Sequence, residues 1–173
     1  MNGTVWQRLD HVARLIAPAL MTIMLVVLAQ VPVPLPDYAV VSPGLALMSV
    51  YYWAVSRPEL LPAPVVFAVG LFQDMLSGVP AGMNALLLLL AYGITVSQRR
   101  VFSGRSFSVV WSGFLLAAAA VGAAQWLLMS ILAGSLLAPQ PVLMQFMLTV
   151  ALYPVLAWVL VQIHRALARG EAP

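Results

Sequence analysis

Gly70-Leu71-Phe72-Gln73-Asp74-Met75-Leu76-Ser77-Gly78-Val79-Pro80-Ala81-Gly82-Met83-Asn84-Ala85-Leu86 reads as a short helix, a bend and a new helix. Gly78 and Gly82 permit positive φ or close backbone approach, and Pro80 suits the first turn of a helix, where a missing N–H costs nothing. Asp74 is the acid embedded in this apolar stretch. A carboxylate in such a setting is costly unless a cation, water or backbone donors meet it. The start of the new helix offers free N–H groups and the positive end of its dipole, with Ser77 and Asn84 nearby in sequence. Two compatible roles follow for Asp74: it fastens the bend, or it belongs to a partner-contact or solute site at the mouth of the fold.

The medium around this block follows from composition. Of 173 residues, 63% are apolar and 8% charged, against about 25% charged in a soluble domain. With a mean hydropathy of +1.00, the chain exposes more apolar surface than water can solvate, so its medium is a lipid bilayer. There are eight arginines and no lysine, scattered singly between apolar runs, which is not the basic stripe of a nucleic-acid footprint. With no cysteine, disulfide scaffolds, thiolate metal sites and cysteine nucleophiles are excluded.

Working outward from the block, a span needs about 20 mostly apolar residues, and six stretches qualify. They run over about 15–33, 38–55, 60–72, 80–96, 107–132 and 141–163. Pro32, Pro34 and Pro36 end the first, Asp37 stands where an N-cap would open the second, and Ser97 to Ser106 reads as a polar break after the fourth. The expectation is one all-α integral membrane domain over 1–173 with about six transmembrane helices. Its orientation follows from charge, because cytoplasmic loops hold the positive excess. Arg8, Arg14, Arg57, Arg99, Arg100, Arg105, Arg165 and Arg169 all fall on one side of this division. Both termini are then expected in the cytoplasm. Val27-Leu28-Ala29 before Gln30 has the small-residue pattern of a signal-peptidase site, but the apolar run continues to the prolines, and an uncleaved span is simpler.

Aromatic placement agrees with the division, since Trp and Tyr favour headgroup level. Trp6, Tyr51, Tyr52, Trp53, Trp111 and Trp158 lie near cytoplasmic span ends. Trp126 does not, and its N–H needs a protein neighbour. The turn Tyr51-Tyr52-Trp53-Ala54-Val55-Ser56-Arg57-Pro58-Glu59 reads as an aromatic and basic membrane anchor, or as a docking surface for a cytoplasmic protein that Arg99, Arg100 and Arg105 extend; within it Arg57 and Glu59 are placed to pair. In the fifth span, Ala118 and Gly122 are small residues four apart, which let helices approach closely.

Enzymatic chemistry finds no foothold. Hydrolysis needs a nucleophile with a base in reach, or a metal with several ligands. His11 and His164 sit singly at span ends, there is no H-E-x-x-H, no G-x-S-x-G elbow and no phosphate-cradling glycine loop followed by lysine, and no second acid lies at the depth of Asp74. No catalytic group, cofactor or metal is expected.

From Tyr51 to Phe102 the chain resembles the rod shape-determining protein MreD family of bacterial inner-membrane proteins. The resemblance rests on the aromatic end of a span, Arg57-Pro58, then Gly70, Asp74, Gly78, Pro80, Gly82, Asn84 and Ala85-Leu86, then Gln98-Arg99-Arg100. It implies a multi-pass protein of the inner membrane and a non-enzymatic component of the cell-elongation machinery that makes lateral peptidoglycan. Its implied partners are the bitopic MreC, the actin-like MreB filament, the RodA glycosyltransferase and a class B penicillin-binding transpeptidase. The family is also similar in fold to the six-helix substrate-binding S components of vitamin transporters. On this reading Gly70, Asp74, Gly78, Pro80, Gly82 and Asn84 form a partner-contact or structural motif, while Arg57, Arg99 and Arg100 face cytoplasmic components or anionic lipid, at about 1 kcal/mol per basic residue. The rival reading is a solute-binding transport subunit with Asp74, Gln73, Asn84 and Gln125 lining a pocket, since broken helices at membrane depth often mark such sites.

Overall fold

The computed structural model describes residues 17–30, 42–102 and 106–169, with side chains described for 17–30, 42–99 and 106–163. Among the described residues the protein is all-helical. Helix α1 spans Ala17–Ala29, α2 Leu45–Ser56, α3 Ala63–Ser77, α4 Met83–Phe102, α5 Phe107–Ala133 and α6 Gln140–Arg169, with a single 3-10 turn at Pro58–Leu60 between α2 and α3. Phe107–Ala133 and Gln140–Ile163 are each long and apolar enough to cross a membrane, while α1, α2 and α3 are apolar but shorter.

Helix α2 organises the rest. It is apolar all round, and a helix without a polar face is covered on every side by protein or by lipid; here the cover is protein. Each residue from Leu45 to Ala54 is buried, against α4 and α6 and, more lightly, α5. Tyr51, Tyr52 and Trp53 are only 1, 8 and 2% exposed. That corrects the expectation of a surface anchor: the rings are core. The Tyr51 ring meets Phe114 and Tyr153 edge-on, with centroids 5.2 and 5.8 Å away, while Phe114 and Tyr153 stack at 4.0 Å. The Tyr51 hydroxyl donates to the Val110 carbonyl at 2.8 Å, so the buried ring leaves no hydroxyl unpaired. This cluster joins α2, α5 and α6.

Large apolar side chains stand exposed on all the other helices, among them Met24, Met75, Leu86, Ile131 and Met147. Soluble proteins rarely present so much apolar exterior, and it calls for lipid or a protein partner. Several polar groups turned inward are paired, as such a medium favours. Thr22 on α1 donates back to the Pro18 carbonyl at 2.7 Å and shares a 2.8 Å hydrogen bond with Ser49 on α2. Trp126 donates its indole N–H to the Leu137 carbonyl at 3.0 Å, which closes the α5–α6 loop.

Four boundaries differ from the sequence expectation. Helix α2 opens at Leu45 with Gly44 at its N-cap, in place of a start near Tyr38 capped by Asp37, since a proline such as Pro43 disfavours helix at the residue before it. Helix α3 continues to Ser77, so Gln73 and Asp74 are helical residues one turn from its end. Helix α4 runs through Ser97, Gln98, Arg99 and Arg100 to Phe102; straight-chain residues are good helix formers, and polarity alone does not stop a helix. Helix α6 continues past Ile163 to Arg169 and carries Pro154 in its interior. Proline there deprives the carbonyl four residues earlier of its N–H. That carbonyl belongs to Val150, and Trp111 on α5 donates its indole N–H to it at 3.4 Å. Trp6, His11, Arg8, Arg14, Asp37 and Arg105 lie outside the described residues.

Candidate functional site

The bend between α3 and α4 is held by one side chain. Asp74, 2% exposed, accepts the Gly82 N–H at Oδ2 and the Asn84 N–H at Oδ1, both at 2.8 Å. Helix α4 begins at Met83, so these are two of the orphan donors at its amino end. The negative charge lies at the positive end of the α4 dipole, and the cap comes from the neighbouring helix instead of from the residue before α4. The backbone makes the geometry possible. Gly78 ends α3 with φ 65° and donates its N–H to the Asp74 carbonyl at 3.1 Å. Gly82 has φ 95°, a conformation in which a Cβ is strained. Pro80 is exposed in the turn, and its carbonyl accepts the Met83 N–H at 3.1 Å.

Gly70 acts one level down the same hairpin. A Cβ built on it would lie 2.3 Å from the Ala85 Cα and 2.7 Å from the Ala85 nitrogen. The backbones of α3 and α4 therefore touch at this point, in the manner of small-residue helix contacts in membranes. Gly70, Asp74, Gly78, Gly82 and Asn84 are one device: backbone contact at 70, a carboxylate clamp at 74, and a glycine-permitted turn between them. Ser77, near Asp74 in sequence, does not join it; its hydroxyl accepts from Gln30 Nε2 at 3.2 Å and ties α1 to the turn.

Beside the clamp lies a cavity of about 60 Å³ lined by Gln73, Asn84, Gln125, Gln145 and Thr149 together with apolar residues of α2, α4, α5 and α6. It is continuous in its lining with a vestibule of about 320 Å³ at the end of the fold bearing Gln30, Ser42 and Ser77. Among the described residues, no ionisable side chain lines either space. Gln125 Nε2 donates to Gln145 Oε1 at 3.4 Å. Thr149 donates to the Gln145 carbonyl at 2.6 Å and accepts the Gly44 N–H at 2.9 Å, which caps the start of α2. Of the four residues the rival reading grouped, Gln73, Asn84 and Gln125 share this cavity, and Asp74 is turned into the clamp. Gln145 and Thr149 escaped the sequence reading, although a pair of polar residues four apart on an apolar helix shares one face and marks a lining.

The basic residues gather at the opposite end. Arg57 is exposed just after α2. Glu59 pairs with Arg99 at 3.5 Å and not with Arg57, because α4 returns beside the 3-10 turn; both partners are exposed, which limits such a pair to about 1 kcal/mol. Arg100 stands on α4 with its side chain outside the described residues, as is that of His164 on α6. Among the described residues no group of three His, Cys, Asp or Glu is placed to hold a metal.

Against known proteins, a family model described as rod shape-determining protein MreD matches residues 10–163. Neither a curated protein nor a solved structure matches the chain.

Proposed function

The chain belongs to the rod shape-determining protein MreD family, and from that premise we propose that it is a non-enzymatic membrane scaffold of the bacterial cell-elongation machinery. In this reading six helices cross the inner membrane, both termini are cytoplasmic, and the α3–α4 clamp faces the outside. The shorter helices α1–α3 span as members of a bundle, tilted or covered by their neighbours. The clamp keeps an outer surface rigid for a bitopic MreC-like partner, while Arg57, Arg99 and Arg100 meet cytoplasmic components such as the MreB filament, or anionic lipid. RodA-type glycosyltransferase and class B transpeptidase join the same assembly. The observation that carries the proposal is the family match over 10–163, supported by a fold whose most constrained polar residue is consumed in fastening two helices.

Crosslinking in native membranes, purification of this protein and mass spectrometry of its companions test the reading. Recovery of a single-pass periplasmic coiled-coil protein and a wall transglycosylase is expected. Recovery of ATPase subunits with a long-helical coupling protein instead would overturn it.

A further inference from the structure

The amide-lined cavity shares with the clamp only Asn84, whose backbone N–H serves the clamp and whose side chain is left to the cavity, and its chemistry is specific. Four carboxamides and a hydroxyl from α3, α4, α5 and α6 converge on one space in an otherwise apolar bundle, where unpaired polar groups are expensive. The pairing is incomplete. Gln73 reaches the cavity wall, yet its Oε1 is buried without a hydrogen-bond partner. The terminal torsion of glutamine is broad, so a modest rotation turns that acceptor toward the cavity. Gln125 and Gln145 meet at only 3.4 Å, a long bond that a better partner replaces at little cost.

The form of the ligand follows from three features. With no ionisable side chain on the wall among the described residues, a charged group entering here would go uncompensated by them, so the group is neutral. Carboxamides both donate and accept, and an orphaned acceptor asks for a donor; hydroxyls satisfy both demands. The volume of about 60 Å³ takes roughly four water molecules, the scale of a glycerol unit. A fourth feature gives the route: Gly122, Val142 and Phe146 line this cavity and also an apolar groove of about 260 Å³ that continues along Ala119, Ala123, Trp126 and Leu143 on the surface of α5 and α6. Gly122 narrows the partition between them least of any residue, having no side chain. We infer that this protein binds a neutral polyol group in the cavity beside Gln73 and Gln125, with the groove across Gly122 receiving the acyl chain when the polyol is the head of an uncharged lipid.

The test uses the full-length chain in phosphatidylcholine nanodiscs with a monoacylglycerol carrying a diazirine in its acyl chain. Saturable photolabelling of α5 near Trp126 and of α6 near Leu143 is expected, displaced by excess 1-monooleoylglycerol. Gln73→Leu should lower that labelling about tenfold while melting at or above the wild-type temperature, because it removes a buried oxygen that has no partner; Gln125→Leu provides the same reading from another helix should the first variant fold poorly. Displacement by free glycerol would make the unattached polyol a sufficient ligand. Failure of glycerol to displace, with labelling lowered in both leucine variants, would assign the lipid-borne form. Labelling that does not saturate, or that is equal in wild type and both leucine variants, would be bulk lipid contact and would overturn the inference.

Discussion

Gly70 and Ala85 bring the backbones of α3 and α4 into direct contact: a methyl group at position 70 would stand 2.3 Å from the Ala85 Cα. No rotamer relieves that clash, since the opposing atom is main chain. Gly70→Ala should therefore push the hairpin apart and cost about 1–3 kcal/mol or more, seen as a lower melting temperature in detergent. Ala85→Gly leaves the contact room and should lose only about 1 kcal/mol through helix propensity.

Asp74 caps two amides with one carboxylate. Asp74→Ala strands both donors and should cost about 2–4 kcal/mol. Asp74→Asn keeps the size but offers a single acceptor oxygen, so it should fall between alanine and wild type. Stability and partner recovery should decline together; normal stability with lost partner recovery would place Asp74 at a contact instead of a fastening.

Trp111 answers the proline of another helix. Its indole N–H takes the Val150 carbonyl that Pro154 leaves without a helical donor. Trp111→Phe should cost about 1 kcal/mol. In a Pro154→Ala background the carbonyl regains a helical partner, so the same change should cost less. A double-mutant cycle measured by thermal unfolding checks the coupling, and additive losses would show that the indole bond does not depend on the proline.

The Arg99–Glu59 pair is exposed on both sides, at 37 and 66% of the side chains. Arg99→Gln should leave the melting temperature nearly unchanged, by less than about 1 kcal/mol, at any ionic strength. Its consequence should lie in binding: weaker sedimentation with anionic vesicles or weaker recovery of cytoplasmic components.

Orientation can be read with thiols because the chain has no cysteine. On the proposed topology, Ser135→Cys in the α5–α6 loop should react with a membrane-impermeant maleimide in intact spheroplasts. Glu59→Cys should react only after permeabilisation. The opposite pattern would invert the topology, and equal labelling would remove the intervening spans.

Much of the bend was legible because its constraints are local. Glycines at 78 and 82, Pro80 and an acid in an apolar run each have one or two physical uses, and the need of Asp74 for a partner followed from cost alone. The inward rings of Tyr51, Tyr52 and Trp53 were not legible. An aromatic run near a span end has the same pattern whether it faces headgroups or a core, and only the packing of α4, α5 and α6 decides. Glu59 was matched with Arg57 on sequence proximity, whereas its partner lies 40 positions away, at a distance set by the length of the α3–α4 hairpin. The cavity was half legible: Gln73, Asn84 and Gln125 stood out, while Gln145 and Thr149 lie within a long apolar span whose other side chains mask them.

Thr149 caps the amino end of α2 from a position 105 residues further along the chain, and Tyr153 completes the aromatic cluster around it. Because α6 supplies both the hydroxyl that caps α2 and one ring of the cluster packed on it, the environment of α2 is incomplete until the last helix arrives. A chain cut short after α5 should therefore lack the cap and the last ring contact of α2, and limited proteolysis should digest it faster than the full-length protein.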